Sequence, residues 1–472
     1  MERLSLLDAE FLHLEDRSSP MHIACVSIFE GPAPKAEDVR KLLASKLHRI
    51  PRYRQRIRVL PFEVGRPVWV DDPHFDLAYH VRGTAIPSPG GDEELCALVG
   101  RVMSSTLDRE KPLWESWVVE GLADGRWALL SKVHHCMVDG VSGIDLLAVM
   151  LDFEQDAAVA EPVPWSPAPE PTSLEMVKDA LTGLRDDAAG WVEKIRHGLE
   201  HPDEAKVAVL KTSEGLVTFA KRLAPTRALS IEGPIGTHRI YAHASGSIAD
   251  VKLVRKAFGG TLNDVVLSAI AGGYRALLLA RNEDADRAVV RSLVPVSVRA
   301  GDAHGILDNR VSALICDLPV HLADPVARLE AVKNQMSELK ASNMAEAGEW
   351  VTDIGNLAPP MLVGPITRLV ARLMHQLPQR SLNTVTTNVP GPPVPLYCLG
   401  RRMLESYPYV PIYQGLRTGI AILSYAGTLS FGITGDYDHA PDVATLANGI
   451  AAELVELRRL ADAASEQSTR SP

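Results

Sequence analysis

Two periodicities divide the chain. Apolar residues alternate with polar ones, or bunch into short runs, at 24–29 and 127–134, which predicts strands. A helix is expected over 35–48, after a Pro-rich turn. Beyond residue 140, Ile144, Leu147, Ala148 and Leu151 have helical spacing, and Ser142 with Asp145 resembles a capping box. Residues 155–173 carry Pro162, Pro164, Pro167, Pro169 and Pro171 and read as a linker. An amphipathic helix should follow, with Leu174, Val177, Leu181, Leu184, Ala188, Trp191, Ile195 and Leu199 on one stripe. That stripe either packs on the body of the protein or meets a membrane surface or partner.

The second half begins near Gly236. Its pattern predicts helices over 262–281, 325–340 and 442–460 and strands over 289–298 and 311–318. A hairpin is expected within 418–435, broken at Ala426-Gly427. Alternating strands and helices in both halves indicate α/β architecture. The chain divides into 1–154, a connecting segment 155–235, a second unit 236–464 and a tail 465–472 expected to be disordered.

Composition removes several function classes. The 472 residues are 46% apolar and 23% charged, ordinary for a globular protein. A net charge of −10 argues against general nucleic-acid binding. Cys25, Cys96, Cys136, Cys316 and Cys398 form no CxxC pair, so no metal knuckle or disulfide framework is expected. The N-terminus lacks a signal peptide's apolar stretch, and no run of about 20 apolar residues suggests a span. Between Asp353 and Glu405 there is no acidic residue but five arginines, Arg368, Arg372, Arg380, Arg401 and Arg402. Leu362, Ile366, Leu369, Val370 and Leu373 make an apolar helical stripe there. This segment is either a core helix with a basic edge or a surface for anionic lipid or CoA phosphates.

Candidate chemistry gathers at His134-His135-Cys136-Met137-Val138-Asp139-Gly140, at a strand-to-helix turn. Neighbouring strand side chains point to opposite faces, so His134 and His135 are poorly placed to ligate one metal. Tetrahedral zinc would need further ligands that the adjacent sequence does not offer. One histidine is left free as a general base near neutral pH. Asp139 either orients that imidazole or pairs with an arginine, and Gly140 allows a bend or close approach. A buried histidine pair before an Asp-Gly turn is the plain structural alternative. There is no GxSxG elbow, and Cys136 reads as a small buried hydrophobe. A base without a protein nucleophile points to direct attack by a substrate hydroxyl or amine.

The heptad fits HHxxxDG, the signature of the chloramphenicol-acetyltransferase-like superfamily. Leu4-Ser5-Leu6-Leu7-Asp8-Ala9-Glu10-Phe11, Pro20-Met21-His22, Phe75-Asp76-Leu77 with His80-Val81-Arg82, and Pro112-Leu113-Trp114 narrow it. So do Asn263-Asp264, Pro295-Val296-Ser297-Val298-Arg299 and Asn388-Val389-Pro390-Gly391-Pro392. In this order the chain resembles the bacterial wax ester synthase/diacylglycerol acyltransferase family. The resemblance implies two similar α/β domains meeting at a channel, each a mixed sheet flanked by helices. It implies fatty acyl-CoA as co-substrate, with diacylglycerol or a long-chain alcohol as acceptor; no cofactor and no metal are expected, and the Ala- and Arg-rich composition favours triacylglycerol as the first choice of product. It implies His135 as general base with His134 supporting, and Asp139 paired to an arginine, for which Arg299 is the candidate. Pro112, Leu113, Trp114, Asn263, Asp264, Arg299 and Asn388 become candidates for the substrate site. Packing of the Trp114 indole, helix capping by Asp264 and a rigid turn at Asn388 are their structural alternatives. A cytoplasmic location is expected, with peripheral attachment to the membrane or lipid droplets. Acylation of another hydroxyl lipid, or a non-catalytic lipid-binding role, are the other readings; amide formation of the peptide-synthetase condensation type is disfavoured, because carrier-protein segments are absent.

Overall fold

The computed structural model describes residues 2–60, 65–138, 150–182, 225–297, 311–341 and 380–470. Its main elements in chain order are α1 (Leu6–Leu14), β1 (His22–Phe29), α2 (Ala36–Lys46), β2 (Val81–Ala85), α3 (Asp92–Ser104), β3 (Trp114–Glu120) and β4 (Trp127–His134). The second half supplies β5 (Arg239–Ser247), α4 (Ile248–Phe258), α5 (Leu262–Ala280), β6 (Val290–Ser297), β7 (Val311–Leu318) and α6 (Pro325–Ala341). Then come β8 (Thr384–Pro390), β9 (Tyr397–Cys398), β10 (Arg401–Tyr409), β11 (Thr418–Tyr425), β12 (Thr428–Asp436) and α7 (Val443–Arg470).

Two mixed six-stranded sheets carry the fold. The first runs β9-β10-β1-β4-β3-β2 and the second β7-β6-β8-β11-β12-β5. β3 and β2 are parallel, as are β6 with β8 and β8 with β11; the other neighbours are antiparallel. β4 is an interior strand, and seven of its eight residues are buried, which explains its near-continuous apolar run. β10 crosses the division expected at residue 236. It leaves the second half and pairs with β1, with Tyr409 opposite Ala24. A third buried cluster then joins the halves, with Val26, Ile28 and Leu130 of the first sheet, Leu98 and Val102 of α3, and Tyr241, Tyr407 and Tyr409.

The second core is centred on α5. Thr261 accepts the Asp264 N–H and Asp264 accepts the Thr261 N–H at 2.7 Å, a reciprocal cap that sets the helix start. α5 has the length and hydropathy of a membrane span, but most of that stretch is buried inside the protein, as befits a core helix. It lies tight against α7, where a Cβ at Gly449 would meet the Gly273 Cα at 2.9 Å. The hairpin turn falls at Ala426 and Gly427, both at positive φ (44° and 93°).

The structure departs from the sequence pattern at three points. α7 continues to Arg470, into the segment expected as a tail. The three-stranded sheet of Glu2–Arg3, Val68–Asp71 and Gln55–Arg58 was not foreseen, because its strands are short and one has only two residues. In the described part of the amphipathic helix, 173–182, the buried residues are Met176 and Ala180, which pack on Leu60, Val68 and Val70. Leu174 and Leu181 are 64% and 54% exposed, so the expected stripe is not the packed face there. The helix expected after Gly140, most of the amphipathic helix and the segment with Arg368 and Arg372 lie outside the described residues.

Candidate active site

The site is built at the C-terminal end of β4. β1 pairs with β4 so that His22 stands opposite His134. The chain then turns through a short 3-10 segment, His135–Met137. The His134 N–H donates to the Leu113 carbonyl at 2.9 Å and the His135 N–H to the Met21 carbonyl at 2.8 Å. Both histidines therefore have fixed backbones before any side-chain contact is considered.

Their rings enter different surroundings. The His135 ring stacks on Phe11 of α1, with centroids 3.9 Å apart. Burial pushes its pKa down to about 4, with a further contribution from neighbouring His134. At neutral pH the imidazole is uncharged and keeps a lone pair. The His134 ring is fully buried. Its Nδ1 accepts the Cys136 N–H at 3.2 Å, which places the ring proton on Nε2. Nε2 lies 3.5 Å from Glu15 Oε1, at the outer edge of hydrogen-bond range. The two rings reach the same helix one turn apart, so the strand pleat alone does not separate them.

Glu15 is the hub of this second environment. Its Oε1 lies 3.2 Å from His22 Nε2 and accepts the Met21 N–H, while Oε2 accepts from Arg109 at 2.7 Å. Burial by itself would raise the Glu15 pKa. The histidines and Arg109 outweigh it and hold the carboxylate well below its usual range. Glu15, His22 and His134 offer ligand atoms within 4.8 Å of one another, so distant sequence supplies the donors that the adjacent sequence lacked. The Nε2 proton of His134 and the Arg109 charge on Glu15 make the set a charge-compensated polar network. Glu15 and Arg109 carried no motif signal, and Phe11 stood only as the end of the N-terminal block. Only the pairing of β1 with β4 reveals them.

The remaining candidates divide by location. Leu113 and Trp114 are fully buried. The Trp114 indole donates to the Tyr53 carbonyl at 2.9 Å and stacks on His80, whose Nδ1 is 2.7 Å from the Trp114 carbonyl oxygen. Pro112-Leu113-Trp114 thus supports the site through the Leu113 carbonyl under His134, and its indole is a core group. Asn263 and Asn388, 125 residues apart, are brought together, with Asn388 donating to Asn263 at 3.3 Å. Asp264 is the helix cap described above. Among the described residues no hydrogen bond joins this pair to the histidines. The Cys136 thiol is buried, and that burial raises its pKa well above the ordinary value, so it is no thiolate nucleophile. Asp139, Gly140 and Arg299 lie outside the described residues.

Residues 4–266 match the wax ester synthase/diacylglycerol acyltransferase catalytic domain, and 307–458 the C-terminal domain of the same proteins. The chain belongs to the wax ester synthase/diacylglycerol acyltransferase family. A probable diacylglycerol O-acyltransferase of Mycobacterium tuberculosis, tgs1, is 40% identical over 462 residues, covering 95% of this chain and 94% of that one. The wax ester synthase/diacylglycerol acyltransferase of Marinobacter aquaeolei VT8 superposes with a TM-score of 0.68 at 26% identity, covering 98% of this chain and all of that one. A trichothecene 15-O-acetyltransferase from Fusarium sporotrichioides shares the fold at 12% identity, with a TM-score of 0.60 and coverage of 97% and 95%. The protein is an O-acyltransferase of neutral-lipid synthesis, with the two-domain acyltransferase fold.

Proposed function

We propose that the enzyme transfers a fatty acyl group from acyl-CoA directly to the hydroxyl of diacylglycerol, giving triacylglycerol, with His135 as the general base. The observation that carries this reading is the neutral, sterically fixed His135 ring beside an inert thiol. In this reading His135 takes the proton as the acceptor oxygen attacks the thioester carbonyl. The imidazolium then returns a proton to the departing CoA thiolate. Positioned base catalysis of this kind contributes about 10²–10⁴-fold. Holding two large substrates in line and stabilising the oxyanion supply the rest. Asp139 is assigned to an ion pair that holds the turn, with Arg299 as its partner. The diacylglycerol preference is supported by the tgs1 relative, and long-chain alcohols are the second acceptor class. The mechanism needs no metal or cofactor.

The test is a panel with purified protein: labelled palmitoyl-CoA with diacylglycerol, with hexadecanol, and with no acceptor. Label should enter triacylglycerol fastest. Faster wax ester formation would overturn the acceptor assignment. No ester with any hydroxyl would overturn the enzyme reading in favour of lipid binding.

A peripheral position on a cytoplasmic lipid surface is part of the same proposal. Leu174 and Leu181, two turns apart and exposed, support it. Replacing both with Ser should reduce flotation with liposomes; unchanged flotation would refute their role.

A further inference from the structure

A cleft of 1290 Å³ lies at the seam between the halves, away from His134 and His135. Its floor is where α3 meets β5. Ser104 Oγ accepts the Arg239 N–H at 2.9 Å, and a Cβ at Gly100 would collide with the Arg239 carbonyl oxygen at 2.6 Å. Arg239 itself is buried and committed, donating to the carbonyls of Gly236, His238 and Ser18. The walls are different. Arg17 and Arg101 line the cleft, are exposed and have no ion-pair or hydrogen-bond partner among the described residues. Exposed Tyr437 and His238 line it too, with ring centroids 6.3 Å apart and Tyr437 58% exposed. The opposite end carries Asp92 and Glu93.

We propose that this cleft binds the adenosine 3′,5′-bisphosphate end of the acyl-CoA donor, with Arg17 and Arg101 on the phosphates and Tyr437 and His238 against the adenine. The inference rests on the acyl-CoA reading above and assigns a place to the donor's polar end. Unpaired guanidiniums are suited to phosphate oxygens, and exposed aromatic faces to a planar base. Asp92 and Glu93 repel phosphate from the far end and so fix one orientation. Two short stretches of chain connect the cleft to the histidine network. Arg17 precedes Met21, whose carbonyl holds His135, by four residues, at most about 14 Å of chain. Thr106 of the cleft precedes Leu107, whose N–H approaches His22 Nε2 at 3.4 Å. In the proposal the pantetheine arm runs from the cleft toward His135 along these short stretches of chain.

The test compares two donors on the full-length enzyme. Arg17→Ala with Arg101→Ala should raise KM for palmitoyl-CoA about tenfold or more, the loss expected when charge-assisted hydrogen bonds are removed. The rise should be confined to the CoA donor and absent with palmitoyl-pantetheine, which has no phosphates. Adenosine 3′,5′-bisphosphate should compete with palmitoyl-CoA on the wild type and lose that competition on the double variant. An unchanged KM for palmitoyl-CoA, or an equal loss with palmitoyl-pantetheine, would overturn the assignment. If no hydroxyl acceptor were acylated at all, the functional reading would fall. Calorimetric binding of the bisphosphate to the wild type but not the double variant would still support the cleft, and its absence would refute it.

Discussion

His134 and His135 are consecutive residues of one type, yet they inhabit opposite chemical worlds. His134 belongs to a buried polar cluster with His22 and Glu15, whose carboxylate is paired to half-exposed Arg109. His135 belongs to an apolar niche against Phe11, where burial keeps its ring neutral. The difference teaches that a base is made as much by withholding partners as by supplying them. A carboxylate against His135 would raise its pKa and favour the charged ring, which has no lone pair. Here the carboxylate is given to its neighbour, and it reaches His135 through His134 and the backbone of Met21.

Removing the base is the strongest way to test that contrast. His135→Ala should lower kcat by about 10²–10⁴-fold with little change in the unfolding midpoint, checked by steady-state assay and thermal melting. Glu15→Ala should show the opposite balance. It leaves buried histidines and one face of Arg109 unpaired, so stability should fall by about 1–3 kcal/mol in urea titrations. kcat should also fall, by less than for His135→Ala, because Met21 loses its anchor while holding the His135 N–H.

Acid should act on both environments in the same direction. His135 and His80 have pKa values near 4 in the fold, held down by burial. Unfolded, they titrate near 6.5. Between those values the unfolded chain binds more protons, so stability is full above pH 6.5 and declines as pH falls toward 4. Glu15, with its depressed pKa, adds to the loss as pH falls through the usual carboxylate range. His135→Ala should flatten the first part of that decline, measured as urea midpoint against pH. The smallest effect should come from Cys136→Ala. It should keep kcat within about threefold, since the thiol is protonated and takes no part in the transfer.

Local signals in the sequence found local structure. The run 127–134 is β4 to the residue, Thr261 with Asp264 makes the cap that starts α5, and Ala426-Gly427 is the turn of the β11–β12 hairpin. Each is set by neighbours within a few positions, and so it is visible in one chain. The second environment of the site was not visible, because it is made by strand pairing. Nothing in the adjacent sequence says that His22 will stand opposite His134, or that Glu15 at the end of α1 will lie between them. The transfer of β10 into the first sheet has the same origin. Periodicity also failed on the 173–182 helix, where Met176 and Ala180 meet a small sheet that its own spacing could not foretell. The strand pleat does not separate the two histidines: the chain leaves the strand at His135, both rings meet α1, and their surroundings make the difference.

The pH dependence of kcat/KM for palmitoyl-CoA tests the central claim most directly, because it reports ionisations of the free enzyme. With a neutral, desolvated His135 as the base, the profile should stay level from pH 8 to about 5 and fall with unit slope around a pKa near 4. Brief assays after a pH jump keep the fold intact during the measurement. An acid limb centred at pH 6.5 or above, retained in Glu15→Gln, would contradict the account: the essential base would then be a solvated histidine, and not the one held against Phe11.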